Sequence, residues 1–266
     1  MQLQTFRFRQ PVDKTVLSDP YAETRREMRN LRLSVEPGQT IAVTASSRGI
    51  FDIVPIIRAV VDHFKERGLE PFLVPAMGSH AGGTAESQRQ LLFDYGLTEI
   101  TLGCPIRSSM ETVCLGRLEE IDCPVFFDRI ASEADHIFLV NRIKSHTRFT
   151  GPLESGLLKM LMIGLGNPVG ASHYHRAIAD DRFSAVIRLV ADFVMEKRSV
   201  LGGLGIVENA EGRTAKVRAV ATGNLAVEEE KLLVLAKQLS PRLPFDEIDL
   251  LIIERIGQPS TVSVKP

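Results

Sequence analysis

Apolar residues recur along this chain with two periods, and the alternation between them predicts the architecture. Short unbroken apolar runs bounded by turn residues, Thr40 to Thr44, Pro71 to Pro75 and Asp135 to Asn141, read as strands buried on both faces. Between the first two, Asp52 to Arg67 places Ile53, Ile56, Ile57, Val60, Val61 and Phe64 on one helical face, and Gly68 stops the helix. Thr84 is placed to cap a helix running to Tyr95. The same reasoning predicts a polar helix over Tyr21 to Leu31, a short helix over Phe127 to Ala134, and helices over Phe183 to Lys197 and Ala226 to Gln238. Val200 to Val207 and Lys216 to Thr222 read as strands paired around the turn 209–213, with further strands at Leu3 to Phe8 and Ile248 to Glu254. Thr101 to Asp122 fits a hairpin or a strand and loop insert. Strands alternating with helices define an α/β fold: a mainly parallel sheet with helices on both faces, a three-layer sandwich.

Composition adds exclusions. With 44% hydrophobic and 24% charged residues in 266, the chain has the make-up of a globular protein that buries a core. A formal charge of -1 gives no general attraction to nucleic acid or to an anionic membrane. The start MQLQTFRFRQP lacks the apolar segment of a signal peptide, and no later stretch supplies the ~18 apolar residues of a membrane span, so a cytoplasmic location is expected. Cys104, Cys114 and Cys123 form no C-x-x-C pair and read as reduced structural cysteines.

The candidate chemistry clusters after strands. Arg48, His80 and His146 each follow a predicted strand by a few residues. In an open parallel sheet the loops at the carboxyl ends share one crevice, which would gather all three. His63 and His136 read as structural or surface histidines; Lys144 and Arg148 read as charges of a solvated loop. Lys159 stands among Leu157, Leu158, Met160, Leu161, Met162 and Ile163, so its amine must snorkel outward or find a partner. A lysine held in apolar surroundings has a lowered pKa and can act as a nucleophile. His173 and His175 would point the same way only on an extended backbone, where either could ligate a metal. Gly164, Gly166 and Gly170 do not have dinucleotide-fingerprint spacing, though amides in such a loop could cradle a phosphate.

The loop GSHAGGTAE from Gly78 and the block NRIKSHTRFTGPLESGLLKMLMIGLG from Asn141 resemble the lactate racemase family, whose members use a nickel-pincer nucleotide. The resemblance implies that residues 1–256 form an amino-terminal catalytic and cofactor-binding domain, with 257–266 a linker or the start of a second lobe. It implies a 2-hydroxy acid substrate inverted at C2 through a 2-keto acid, with hydride passing to pyridinium-3,5-bisthiocarboxylic acid mononucleotide nickel. By the same resemblance His80 and His146 are the acid/base pair, Lys159 anchors the cofactor, Gly164 and Gly166 lie along it, Arg48 binds the substrate carboxylate, and His173 or His175 ligates nickel. Two features depart from the family: Ala45 stands where an aspartate precedes the arginine by three, and the interval from His146 to Lys159 is longer. Both point to a 2-hydroxy acid other than lactate. Two rival readings are a non-catalytic nucleotide- or metal-binding module, and a zinc hydrolase with His146, His173 and His175 as ligands.

Overall fold

The computed structural model describes residues 10–147, 149–178, 183–243, 245, 247–250 and 252. Its centre is a five-stranded sheet of β1 (Thr40–Ala45), β2 (Glu70–Pro75), β5 (His136–Arg142), β6 (Val200–Glu208) and β7 (Thr214–Ala221), in the order β2-β1-β5-β6-β7. The first four strands run parallel and β7 closes one edge antiparallel. The sheet is doubly wound, because the chain steps outward from β1 to β2 and later returns to the other side of β1 at β5. The β1/β5 boundary is therefore the switch point, where loops diverge and leave a crevice.

Alternate residues of these strands feed two cores. Ala42, Phe72, Val74, Ile137 and Leu139 face one side, packed by α6 (Leu157–Lys159) and α8 (Phe183–Lys197). Ile41, Val43, Leu73, Phe138 and Val140 face the other, under α2 (Ile53–Glu66), whose buried residues include all six on its expected stripe. Helix, sheet and helix thus make three layers, as a strand apolar at every position requires. A smaller core joins Ile143, Val207 and Ala215 to α9 (Leu225–Leu239). The polar helix is α1 (Pro20–Arg29), capped by Asp19, and α3 (Ala85–Asp94) is capped by Thr84, whose side chain accepts from the Ser87 amide at 3.2 Å.

The expected hairpin or strand insert over Thr101 to Asp122 is present, with its second strand lying beyond that range. Within Thr101 to Asp122, the short α4 (Glu99–Leu102) is followed by β3 (Thr112–Leu118), which pairs antiparallel with β4 (Cys123–Asp128) as a separate two-stranded sheet. Phe127 and Asp128 therefore end a strand, and the helix α5 (Arg129–Glu133) starts later because the Asp128 carboxylate caps it, accepting from Ala131 N at 2.8 Å. Leu3 to Phe8 lies outside the described residues; of the run Ile248 to Glu254, the described residues Ile248, Leu250 and Ile252 are exposed and in no strand. The three cysteines are free. Among the described residues, no helix is long and apolar enough to cross a membrane.

Candidate functional site

At the carboxyl edge of β2, β1 and β5 an open cleft of about 200 Å³ brings Arg48, His80, Lys144, His146 and Lys159 to one space. Serine, threonine and asparagine side chains fill much of the remaining lining, with Met77, Met160 and Ile163 apolar, and among the described residues the lining contains no Asp or Glu. The cleft is cationic.

His80 is set by the turn after β2. Gly78 takes φ +57, and a Cβ there would lie 2.9 Å from the Ile163 carbonyl oxygen, so only glycine lets this turn dock on the segment that follows Lys159. The Gly78 amide donates to Gly164 O at 3.0 Å, and Gln88 holds the turn from the other side, its Nε2 donating to the Gly78 carbonyl at 2.9 Å. On the ring, Nδ1 lies 2.6 Å from Ser47 Oγ, and Ser47 is itself fixed by the Tyr95 hydroxyl, which donates to its carbonyl at 2.8 Å. When Nδ1–H donates to the serine, Nε2 is left as a proton acceptor. Burial, then the charges of Arg48 and Lys159, lower the His80 pKa below its ordinary value. Removing the serine hydroxyl should therefore mix the tautomers: for Ser47→Ala, the imidazole nitrogen NMR shifts of His80 move while stability falls by only about 1 kcal/mol. Unchanged shifts would show that the hydroxyl does not set the ring.

His146 rides on a loop wrapped around Glu154. Lys144 and Ser155 pair through their backbones at 2.9 and 3.3 Å, closing the loop, and the fully buried Glu154 carboxylate accepts from the His146 amide at 2.6 Å and the Gly151 amide at 3.2 Å. Lys237 of α9 balances that carboxylate at 2.7 Å. The ring stands 5.0 Å from Phe149 and 5.3 Å from Phe183. Its Nδ1 accepts the Phe149 amide at 3.2 Å, which puts the proton of the neutral ring on Nε2. Burial and the Lys159 charge push its pKa down to about 4.

Lys159 ends α6 and opens a π turn over Met160–Gly164, a widened form that frequently occurs at functional sites. The amide of Leu158, one residue before it, donates at 2.9 Å to Glu229 of α9, a buried carboxyl at the amino end of this turn. Gly156 leaves room for that carboxyl, since a Cβ there would lie 2.2 Å from Glu229 Oε1. Burial, followed by the charges of Lys144 and Arg48, lowers the Lys159 pKa to about 8. Its amine faces the Phe183 ring at 5.6 Å and has no hydrogen bond or ion pair among the described residues.

The remaining expected residues lie elsewhere. His173 and His175 belong to a helix, α7 (Asn167–Ala177), so they diverge around its axis instead of sharing an extended face. His173 packs on Phe126 at 5.1 Å; His175 is exposed, close enough for its charge to bear on His146. Neither lines the cleft. Among the described residues no group of three His, Cys, Asp or Glu side chains is arranged to hold a metal ion, which leaves the zinc triad of His146, His173 and His175 without its geometry. Gly164 lines the cleft packed against the Ala76 carbonyl, while Gly166 lies against the Tyr174 ring. Ser47, Lys144, Glu154, Glu229 and Lys237 carry roles in or behind this site that local sequence pattern did not mark.

A doubly wound sheet with its cleft at the switch point defines the class: an α/β protein with an open cleft at the carboxyl edge of its parallel strands. The fold is that of the lactate racemase apoprotein from Thermoanaerobacterium thermosaccharolyticum, matched with a TM-score of 0.60 at 12% identity, over 85% of this chain. The chain covers 57% of the length of that structure. No family model and no curated protein matches the sequence.

Proposed function

We propose that this chain is the amino-terminal catalytic part of a 2-hydroxy acid racemase or epimerase that works with a nickel-pincer nucleotide. The observation that carries the reading is the convergence of one buried amine, two imidazoles from separate loops and an arginine on a single cleft. Lys159 suits the anchoring role because its pKa of about 8 leaves part of the amine unprotonated at neutral pH, and among the described residues no hydrogen bond or ion pair occupies it. The expected metal ligand, His173 or His175, sits on α7 outside the cleft lining, so α7 would have to present one of the two to the cleft. Bound at Lys159, the cofactor would supply the hydride acceptor that C2 inversion requires.

The chain's own residues supply binding and protons. Arg48 offers a forked guanidinium to the substrate carboxylate. His80 and His146 both have lowered pKa values and are largely uncharged at neutral pH, so neither repels the cationic lining. With Nδ1–H given to Ser47, His80 accepts the hydroxyl proton at Nε2; His146, protonated on Nε2, presents a donor to an oxygen. Passage through a carbonyl asks for an imidazole to take the hydroxyl proton and for the imidazolium so formed to return it, while the Nε2–H of neutral His146 steadies the substrate oxygen by a hydrogen bond. A bound anion would raise both pKa values by offsetting the cationic charges that, after burial, hold them down.

The test is intact-mass and metal analysis of protein made with nickel and the cofactor-making enzymes. Wild type is expected to carry a cofactor mass adduct that Lys159→Ala loses, while His80→Ala keeps the adduct and loses racemisation by about 100-fold or more. An adduct on Lys159→Ala, or none on wild type, would overturn the proposal; an adduct without inversion of any 2-hydroxy acid would identify a binding module.

A further inference from the structure

We infer that Lys144 is a second anion-binding point of the cleft and that the substrate is a 2-hydroxy acid carrying a second acidic group, a hydroxy-dicarboxylate. The inference rests on the proposed role of Arg48 as the carboxylate site. Three cationic side chains, Arg48, Lys144 and Lys159, line one cleft that holds no carboxylate among the described residues. None of the three side chains has an ion pair or hydrogen bond among the described residues. Glu208, whose negative charge reaches Lys144, is already engaged in a buried ion pair with Arg142 and accepts the Phe51 amide at 3.1 Å.

Lys144 is not a freely solvated surface lysine. Its backbone is pinned on both sides to Ser155, it is half-buried, and burial together with Arg142 and Arg48 lowers its pKa to about 8. Keeping a partly desolvated, unpaired ammonium costs free energy, which an incoming anion returns. If Lys159 is consumed by a covalent anchor and Arg48 takes the C1 carboxylate, one cation remains without a counter-charge. A methyl group at C3, as in lactate, would leave it so. A carboxylate on C3 would meet an ammonium amid Ser145, Thr147 and Ser155, hydroxyl-bearing neighbours suited to an anion and poor hosts for a methyl.

The same chemistry would also suit a phosphate, so the test separates the two sources. Binding of malate, lactate and inorganic phosphate is titrated on cofactor-free protein, wild type and Lys144→Gln, at low ionic strength. Malate is expected to bind wild type about tenfold or more tighter than lactate, the gain of one charge-assisted contact, and Lys144→Gln should erase most of that preference. No preference for malate, a preference that survives in Lys144→Gln, or a Lys144→Gln defect confined to phosphate overturns the inference. Because the protein is free of cofactor, this outcome is independent of the mass adduct on Lys159: an adduct without a malate preference would leave the racemase reading standing and this inference fallen.

Discussion

Replacing Glu229 with glutamine should flatten the pH dependence of stability between about pH 4.5 and pH 7. Burial raises this carboxyl to about 7 from its ordinary 4.5, against the Leu158 and Leu157 amides, which favour the charged form. As pH rises through 4.5 the unfolded chain releases this proton while the folded chain keeps it, so the folded state binds one proton more and loses stability at about 1.4 kcal/mol per pH unit. The loss ends near pH 7, where the folded carboxyl also ionises, and totals about 3 kcal/mol. Glutamine stays neutral throughout and keeps a carbonyl oxygen for the Leu158 amide. Urea unfolding in pH steps should therefore show the difference between wild type and Glu229→Gln changing by about 3 kcal/mol across that window. Parallel curves would show that the carboxyl does not titrate there.

Glu154→Ala should cost about 3 kcal/mol, lowering Tm by roughly 10 °C for a chain of this size. The buried carboxylate satisfies two backbone amides, His146 and Gly151, which an alanine leaves without an acceptor. Lys237 adds less to that figure, because its side chain is 37% exposed and can turn into water. Hydrogen exchange should locate the damage, with the amides of His146 and Gly151 losing protection before those of β5. Glu154→Gln, which keeps an acceptor, should retain most of that protection. Uniform loss across the sheet would mean that the carboxylate supports the fold at large and not the His146 loop.

How much of this was legible depended on whether a signal was local. The strands β1, β2 and β5 were readable because each is a short apolar run closed by turn residues, and their parallel order then put Arg48, His80 and His146 at one edge. The bounds of β3 were not, since most of its residues are partly exposed and it pairs outside the main sheet, so neither alternation nor a solid apolar run survives. Helix α7 was hidden by the glycines at its start, which suggest a loop; Pro168 in its first turn was the available sign of a helix. Glu229 gave no sign at all. It serves an amide 71 residues away, and its own helix pattern reads it as one more position of an apolar stripe interrupted by charge. Glu154 and Ser47 are of the same kind, polar residues whose partners are fixed only by the tertiary fold.

Helix α9 touches none of the reactive atoms, yet it grips both arms of the cleft. Glu229 holds the turn that ends in Lys159, and Lys237, eight residues further along the same rod, holds the loop that bears His146. The amine and the imidazole therefore share one mechanical frame on the outer layer. A shift of that helix along its axis would carry both in concert, since the two holding side chains are spaced by roughly 12 Å of helical rise.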